Sequence, residues 1–388
     1  MTIYLAVGLL LIAALFLGLN KREKGDHAPK RQVDEPKLTK PLINSEVAAA
    51  KPFPDRPDRS HTLATVKEVP KVLLDLRLAQ LSDLPTPQVN ALLTRLQVIP
   101  RPPHALDKLV DAEFLATASS AVLNELMAGE PQITAKVLAS VNSPMYGLQR
   151  PLGSIGQAVT YLGMNTVRGI CMQYMLNASF KATTPELKIF YETIFEASAY
   201  SSELCFKLAQ LLQLPDPGNL VTQVVLSYLG PLTTCSLLDK AVVISLAQSG
   251  PIERAQVEQE KLGLCAAEIG SLLMQTWKVP DGLIQDVRDI DKVLGTPCGT
   301  QVDTRSARIA FCYLCNRIGV MIASGELVDL RSLDISNSES IEHFFLIGYL
   351  KHPSLARLTE FLHLPEVLTC VDQMTTASQF KNQRTSRP

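Results

Sequence analysis

Apolar residues recur at helical spacing along most of this chain, and that spacing constrains the fold more than any other feature. The pattern begins after Pro70 with Leu73 and Leu76, and Thr86 and Pro87 stand as N-cap and first-turn residues before the next apolar run. Further helices are predicted at about 104–116, 119–128, 133–141, 154–162, 165–178, 186–213, 218–229, 233–248, 251–260, 264–277 and 281–294. No convincing strand pattern is found, so the sequence predicts an all-α fold.

The charge balance argues against a nucleic-acid partner. The 388 residues carry 37 Lys and Arg against 38 Asp and Glu, a formal net charge of −1, which gives no overall attraction for a polyanion. Two short predicted helices meet at Leu162 and Gly163 and look superficially like a helix-turn-helix, the second capped by Asn165 and Thr166. Arg168 is the only cation on that second helix, which continues as an apolar face. We therefore expect no nucleic-acid binding.

The N-terminal segment has the composition of a membrane anchor. Residues 1–20 carry no charge, and residues 3–19 are almost wholly apolar, which as a helix would just span a bilayer. A cleaved signal peptide is the alternative, but the first residues lack Lys or Arg and no small-x-small cleavage site follows. Lys21, Arg22 and Lys24 come next and predict a cytoplasmic C-terminal side. We expect a single-pass protein of the inner membrane.

Composition also divides the rest of the chain. Residues 21–70 mix charges with seven prolines and contain one aromatic residue, Phe53, which is typical of a flexible linker. Helical pattern fills residues 71–325, the predicted domain. Residues 326–388 are predicted to form a helical C-terminal extension that frays at its end.

Eight cysteines lie mostly inside apolar helical pattern, which favours reduced thiols in a buried core. Cys312 and Cys315 form a CxxC, but no second CxxC and no neighbouring histidine would complete four zinc ligands. No phosphate-binding glycine loop and no nucleophile elbow occurs in the sequence. We expect neither a metal nor a cofactor.

Four sequence pieces, in one order and spacing, carry a family resemblance over about 65 residues. They are a proline-rich segment at 99–103, a helix pattern at 130–138, the turn Asn142-Ser143-Pro144-Met145-Tyr146-Gly147, and the segment from Ser154 to Gly163. Together they resemble the N-terminal half of an HDOD domain, whose pattern includes an N-S-x-x-Y/F-G turn and an S-I-x-x-A-I-x-x-L-G helix. In physical terms, Asn142 and Ser143 can close the preceding helix and Pro144 prevents its continuation; the motif could be purely a corner.

The resemblance continues more weakly through residues 223–230, which end at Gly230, and through residues 260–280, which include Trp277 and Pro280. Trp277, the only tryptophan, is expected to anchor the core. The related HD phosphohydrolases hold metal through histidines and a His-Asp pair, since imidazole and carboxylate bind divalent transition metals and leave positions for water. At the matching positions this chain has Ser227, Tyr228, Ala266, Ile290 and Asp291, and it has no histidine between His104 and His343.

These departures lead to three functional hypotheses. The first is a non-enzymatic signal-transduction module that binds cytoplasmic signalling proteins, and conceivably a nucleotide-type ligand, through the surface left by the degenerate HD pocket; the resemblance implies a link to cyclic dinucleotide pathways. The second is a residual metal-dependent phosphohydrolase that uses Asp286, Asp289 and Asp291. The third is a structural scaffold without ligand input, which the sequence does not separate from the first.

Overall fold

The computed structural model describes residues 69–111, 114, 117, 119–143, 146, 148–246, 249–299, 301–335 and 341–385. In the first half the helices are α1 (Lys71–Leu74), α2 (Thr86–Leu96), α3 (Ala105–Leu109), α4 (Ser120–Ala128), α5 (Pro131–Val141), α6 (Ile155–Leu162), α7 (Met164–Asn177) and α8 (Pro185–Leu211). They continue with α9 (Pro217–Ser227), α10 (Leu229–Leu237), α11 (Lys240–Leu246), α12 (Pro251–Leu262), α13 (Ala266–Thr276), α14 (Asp281–Asp289), α15 (Lys292–Gly295), α16 (Thr304–Ser324), α17 (Leu346–Tyr349), α18 (Leu358–Leu362) and α19 (Pro365–Thr385). Short 3₁₀ turns lie at Leu81–Asp83, Leu330–Ser332, Ile341–His343 and Pro353–Leu355.

No strand occurs among the described residues, so the predicted all-α class is confirmed. Local chemistry explains many of the helix starts. The side chains of Ser154, Thr184 and Asp303 each accept a bond from a backbone amide in the first turn of the helix that follows, which satisfies one of the free donors there. Gly263 and Gly325 end α12 and α16 with φ of +84° and +80°, a conformation that costs glycine little.

The centre of the domain is α8, a 27-residue helix that packs on α7, α9, α16 and α19. Its closest neighbour is α16, which approaches at Gly319. A Cβ at Gly319 would meet the side chain of Ser201 and lie 2.7 Å from the carbonyl oxygen of Ala197. A side chain there would therefore push the two central helices apart. The predicted boundary after residue 325 falls at the glycine that ends α16.

Several predicted helix limits are wrong, each for a local reason. The helix predicted at 104–116 is represented by α3, which ends at Leu109. The helix predicted at 233–248 is two, because Leu238 is extended, with ψ 153°, between α10 and α11. The one predicted at 281–294 ends at Asp289, and residues 292–295 form the separate turn α15.

Two predicted helix starts also differ. Thr86 is the first residue of α2 and Pro85 takes the N-cap position. Asn165 and Thr166 lie inside α7, which begins at Met164 after Gly163. The reversal between α6 and α7 is made by Gly163 at φ +86°, ψ 156°, where a side chain would be strained.

Two described stretches are long and apolar enough to cross a membrane, Pro217–Leu237 and Thr304–Ser324. In each, 78% of the most apolar window is buried inside the protein, so these side chains face the domain's own core. The predicted anchor at 1–20 and almost all of the predicted linker at 21–70 lie outside the described residues.

The eight cysteines are free thiols. Six are buried, and Cys298 and Cys370 are half-buried. Cys312 and Cys315 face the core on α16, beside Cys205 of α8.

Candidate functional site

The N-S-x-x-Y-G turn is held together by Asn142, at the end of α5. Its side-chain amide donates to the carbonyl oxygens of Leu138 and Leu152, both at 2.9 Å, and its side-chain oxygen accepts from the amide of Leu152 at 2.7 Å. Ser143 donates its backbone amide to Ser140 at 2.9 Å. Asn142 therefore ties the end of a helix to a segment ten residues later. Pro144 and Gly147 lie outside the described residues.

The positions that match the family's His-Asp pair are occupied by Ser227, the last residue of α9, and Tyr228. The hydroxyl of Ser227 donates to the carbonyl oxygen of Val224 at 2.7 Å and accepts from the side-chain amide of Asn316 at 2.9 Å. The hydroxyls of Tyr228 and Ser201 are 2.7 Å apart. Burial raises the pKa of Tyr228 above its usual range, so the phenol keeps its proton and serves as a link between helices.

Ala266 stands where the family's later histidine would fall, at the first position of α13. Its backbone amide donates to Oε2 of Glu258 at 2.7 Å, and Oε1 of the same carboxyl accepts from the hydroxyl of Thr234 at 2.9 Å. Glu258 is 1% exposed, and this burial raises its pKa to about 7. One buried carboxyl thus caps α13 and joins it to α10 and α12.

Ile290 and Asp291 stand where the family has a His-His pair. Ile290 is a core residue with no exposed surface. Asp291 precedes the turn α15, and burial raises its pKa to about 6 although the nearby Arg317 acts to lower it. Asp291 is the one member of the degenerate set that lines a cavity.

That cavity, of about 520 Å³, lies between residues 76–83, which we call the strap, and the ends of α13, α14 and α15. The strap is fixed by Gln259 of α12. The side-chain oxygen of Gln259 accepts from the amide of Ala79 at 2.5 Å, and its side-chain amide donates to the carbonyl oxygen of Arg77 at 3.1 Å. Leu76 is buried and packs at Gly295. The residues that lead into the domain therefore cover a cavity that includes one of the degenerate HD positions, Asp291.

The cavity wall carries opposite charges in equal number. The charged side chains are Arg77, Asp83, Glu268, Arg288, Asp291 and Lys292. Arg77 pairs with Asp83 at 3.1 Å, and Nε of Arg288 lies 3.9 Å from Glu268 and 3.6 Å from Asp289. Nε of Arg288 is buried and makes no hydrogen bond to another group of the protein. Arg288 is therefore held between Glu268 and Asp289 by charge, without a hydrogen bond from Nε.

The alternative catalytic carboxylates do not converge on one open site. Asp286 and Asp289 are bound by a single guanidinium, that of Arg305, at 2.8 and 2.9 Å. Lys292 adds a contact of 2.6 Å to Asp289. Burial opposes the charge on Asp289, but the bonds from Lys292 and Arg305 outweigh it and hold the pKa below its usual value. The negative charges of Asp286 and Asp289 are therefore already neutralised by cations of the protein itself.

Among the residues that the structure describes, no group of three or more His, Cys, Asp or Glu side chains is arranged to hold a metal ion. Trp277 is 5% exposed at the end of α13. Pro280 gives the N-cap of α14. Both lie in the connection between those two helices.

Comparison with known proteins decides the family. The sequence model of the HDOD domain matches residues 99–293, half of the chain. The chain belongs to the HDOD family. Its α16 to α19 follow the matched region. No curated protein matches this HDOD chain.

Several solved structures are similar to this HDOD protein. One is a proposed signal transduction protein from Marinobacter aquaeolei VT8, with a TM-score of 0.51 and 16% identity over 75% of this chain and 65% of that chain. Another is a proposed phosphohydrolase from Shewanella amazonensis SB2B, with a TM-score of 0.48 and 21% identity over 74% of this chain and 97% of that chain. A third is an HDOD domain protein of unknown function from Geobacter sulfurreducens, with a TM-score of 0.46 and 16% identity over 74% and 99% of the two chains.

Sequence reasoning on this HDOD chain missed three side chains that bond to elements around the cavity: Glu258, Gln259 and Arg305. Glu258 and Gln259 lie in a polar helix, where charged and amide residues are ordinarily solvated. Gln259 bonds to a residue 180 positions away, so no local pattern marks it.

Proposed function

We propose that this HDOD protein is a non-enzymatic signal-transduction module, which acts through protein partners and takes a nucleotide-type ligand in the cavity beneath the strap. The observation that carries the proposal is what the residues at the degenerate HD positions bond to. Ser227, Tyr228 and Ala266 are each bonded to another helix of the domain. At the matching positions a phosphohydrolase has side chains that bind metal and water. In this chain the residues at those positions make hydrogen bonds between helices.

The cavity supports the ligand part of the proposal. Arg288 and Lys292 stand on one wall and Arg77 stands on the strap. Guanidinium and ammonium groups are the usual partners of phosphate oxygens. A phosphate in the cavity would replace Glu268 as the anion beside Arg288 and Asp83 as the anion beside Arg77. The resemblance to output domains in cyclic dinucleotide signalling makes such dinucleotides the first ligands to try.

The proposal also gives the strap a role. The strap lies at the start of the described domain and is tied to α12 by Gln259. A ligand that contacts Arg77 would therefore alter the segment that leads from residues 1–68 into the domain. With residues 1–20 as an inner-membrane anchor and the domain in the cytoplasm, the partners would be cytoplasmic signalling proteins; sequence alone supports this arrangement.

The test is thermal unfolding of the full-length protein with nucleotides and cyclic dinucleotides, each with and without Mg²⁺ or Mn²⁺. A ligand at about 100 times its Kd adds about 2.7 kcal/mol and raises the Tm by several degrees. The double variant Arg288→Ala/Lys292→Ala should lose that shift. Arg150→Ala, an exposed arginine away from the cavity, should keep it. If no compound shifts the Tm of the wild type, the ligand part of the proposal fails, and an adaptor or a scaffold without ligand input is the hypothesis that remains.

Hydrolysis is tested separately. The wild type and the triple variant Asp286→Ala/Asp289→Ala/Asp291→Ala are assayed against phosphomonoesters and cyclic dinucleotides with Mn²⁺. We expect no turnover by either protein above a metal-only control. Turnover by the wild type that the triple variant loses would establish the phosphohydrolase and end the non-enzymatic proposal.

A further inference from the structure

A second cavity, of about 450 Å³, lies where the family motif meets the C-terminal helix. Tyr146 of the N-S-x-x-Y-G turn and Leu162 at the end of α6 form one side, and α8 contributes Glu203 and Lys207. The opposite side is α19, with Glu366 and Cys370. The family match ends at residue 293, so this cavity exists only because the chain continues past it and folds α19 back against α8.

The lining of the cavity is net negative when both of its carboxyls are ionised. Its charged side chains are two carboxyls, Glu203 and Glu366, and one ammonium, Lys207. Nζ of Lys207 lies 3.4 Å from Oε2 of Glu366 at the exposed rim. Lys207 is thus the one cation of the lining beside two carboxyls, and it contacts the outer one, Glu366.

The inner carboxyl, Glu203, is poorly compensated. Burial raises its pKa to about 7, although Lys207 and a hydrogen bond from the hydroxyl of Thr166 both act to lower it. A carboxyl in this position either keeps its proton or needs a further positive charge beside it. Because the cavity opens next to Glu203, that charge can come from a ligand.

We propose that this cavity is a binding site for a small organic cation whose ammonium or guanidinium group pairs with Glu203. Tyr146 would contribute its hydroxyl to the same group, because burial raises the phenol's pKa far above neutrality and keeps it protonated. Leu162 would contact the carbon chain of the ligand. The one ammonium of the lining is already paired with Glu366, so the lining favours a cation over an anion.

Binding should be linked to a proton. Glu203 faces Lys207 on its own helix, Thr166 on α7, Tyr146 on the motif turn, and Glu366 and Cys370 on α19. Burial raises the pKa of Cys370 to about 12, so the thiol remains neutral with Tyr146. A cation that binds near pH 6.5 must therefore take Glu203 in its ionised form, and Glu203 releases its proton to solvent.

The experiment is isothermal titration of the full-length protein at pH 6.5 with putrescine and agmatine, in two buffers of different ionisation enthalpy. We expect binding of at least one cation, a buffer-dependent heat that reports proton release, and no binding of the neutral diol 1,4-butanediol. Glu203→Gln should weaken binding about tenfold or more and abolish the buffer dependence. Glu186→Gln, the same change at a half-exposed glutamate of α8 that pairs with Lys240 and does not line this cavity, should alter neither.

Tyr146→Phe keeps the ring and should weaken binding by a smaller factor, and it provides a second test if Glu203→Gln does not fold. A blocked lysine, acetyl-lysine amide, separates free amines from basic side chains of a partner: tighter binding of the blocked lysine than of putrescine would indicate a protein side chain as the natural source. Failure of every cation to bind the wild type, or equal binding by Glu203→Gln, would overturn the proposal. Neither result bears on the cavity beneath the strap.

Discussion

Gly230 of α10 and Gly270 of α13 touch each other through their backbones. A Cβ at Gly270 would lie 2.7 Å from the backbone nitrogen of Gly230, and a Cβ at Gly230 would lie 2.5 Å from the carbonyl oxygen of Ala266. The two helices can approach this closely only because both positions lack a side chain. The crossing lies beside Ala266 and Tyr228, so it also fixes the degenerate HD positions.

Gly230→Ala should therefore destabilise the domain. The added methyl meets backbone atoms, which cannot rotate away, and such overpacking costs about 1–3 kcal/mol. Gly282→Ala is the matched control, since a Cβ at Gly282 of α14 meets no atom within 4 Å and alanine favours a helix by up to about 1 kcal/mol. Urea unfolding should give a lower midpoint for the first variant and an equal or higher one for the second. Equal midpoints for Gly230→Ala and wild type would contradict the close crossing.

Glu258 should make the stability of the domain depend on pH. Its pKa rises from an ordinary 4.5 to about 7 on folding, so the folded protein binds the proton more tightly than the unfolded chain. Glu258 contributes about 3 kcal/mol to the free energy of unfolding below about pH 4.5, and this contribution is lost as the pH rises through 7. Asp291, raised to about 6, acts in the same direction. His343, whose pKa burial lowers to about 4, acts in the opposite direction below about pH 6.5.

The difference between wild type and Glu258→Gln isolates that contribution. Glutamine can still accept from the amide of Ala266 and meet the hydroxyl of Thr234, but it carries no charge to desolvate. Urea unfolding at pH 5.5 and pH 8 should show the wild type losing about 2 kcal/mol more than Glu258→Gln over this interval. Glu360→Gln, at an exposed glutamate, should follow the wild type. Parallel pH profiles for wild type and Glu258→Gln would show that Glu258 ionises as freely in the folded state as in the unfolded one.

The helices could be predicted because their signals are local. The segment predicted at 154–162 is α6, Ile155–Leu162, since Ser154 caps it and Gly163 ends it within the same stretch of chain. The breaks at Leu238 and Ile290 carry no proline or glycine at the break. The apolar spacing continues through both places, so periodicity does not show the breaks.

The site was predictable only as far as the family motif extends. The motif pointed to Tyr228, Ala266 and Asp291, of which Asp291 alone lines the cavity beneath the strap. It gave no information on Glu258 or on the strap, because their contacts join distant parts of the chain. The second cavity was invisible for the same reason: Tyr146 and Cys370 meet only when α19 folds against α8.

Arg168 has a structural role that its local sequence does not indicate. It is the only cation on the second of the two helices that look like a helix-turn-helix, and in the structure it is 1% exposed. Its guanidinium donates to the carbonyl oxygen of Leu109 at 2.8 Å and to that of Gly218. The first is a carbonyl at the end of α3 that has no partner within its helix. Arg168 therefore joins α3, α7 and α9 and is not presented to DNA.

Arg168→Met should destabilise the domain strongly without affecting any surface. The carbonyl oxygen of Leu109 loses its donor in a buried place, which costs about 1–3 kcal/mol for a group left unsatisfied, whereas the carbonyl oxygen of Gly218 still accepts from the hydroxyl of Thr222. Arg150→Met, at an exposed arginine, should change the free energy of unfolding by less than about 0.5 kcal/mol. Urea unfolding measures both, and fluorescence anisotropy with duplex DNA should detect no binding by wild type or variant. A stable Arg168→Met protein, or DNA binding that this variant loses, would mean that the arginine is available at the surface of α7 and would restore the DNA-binding hypothesis.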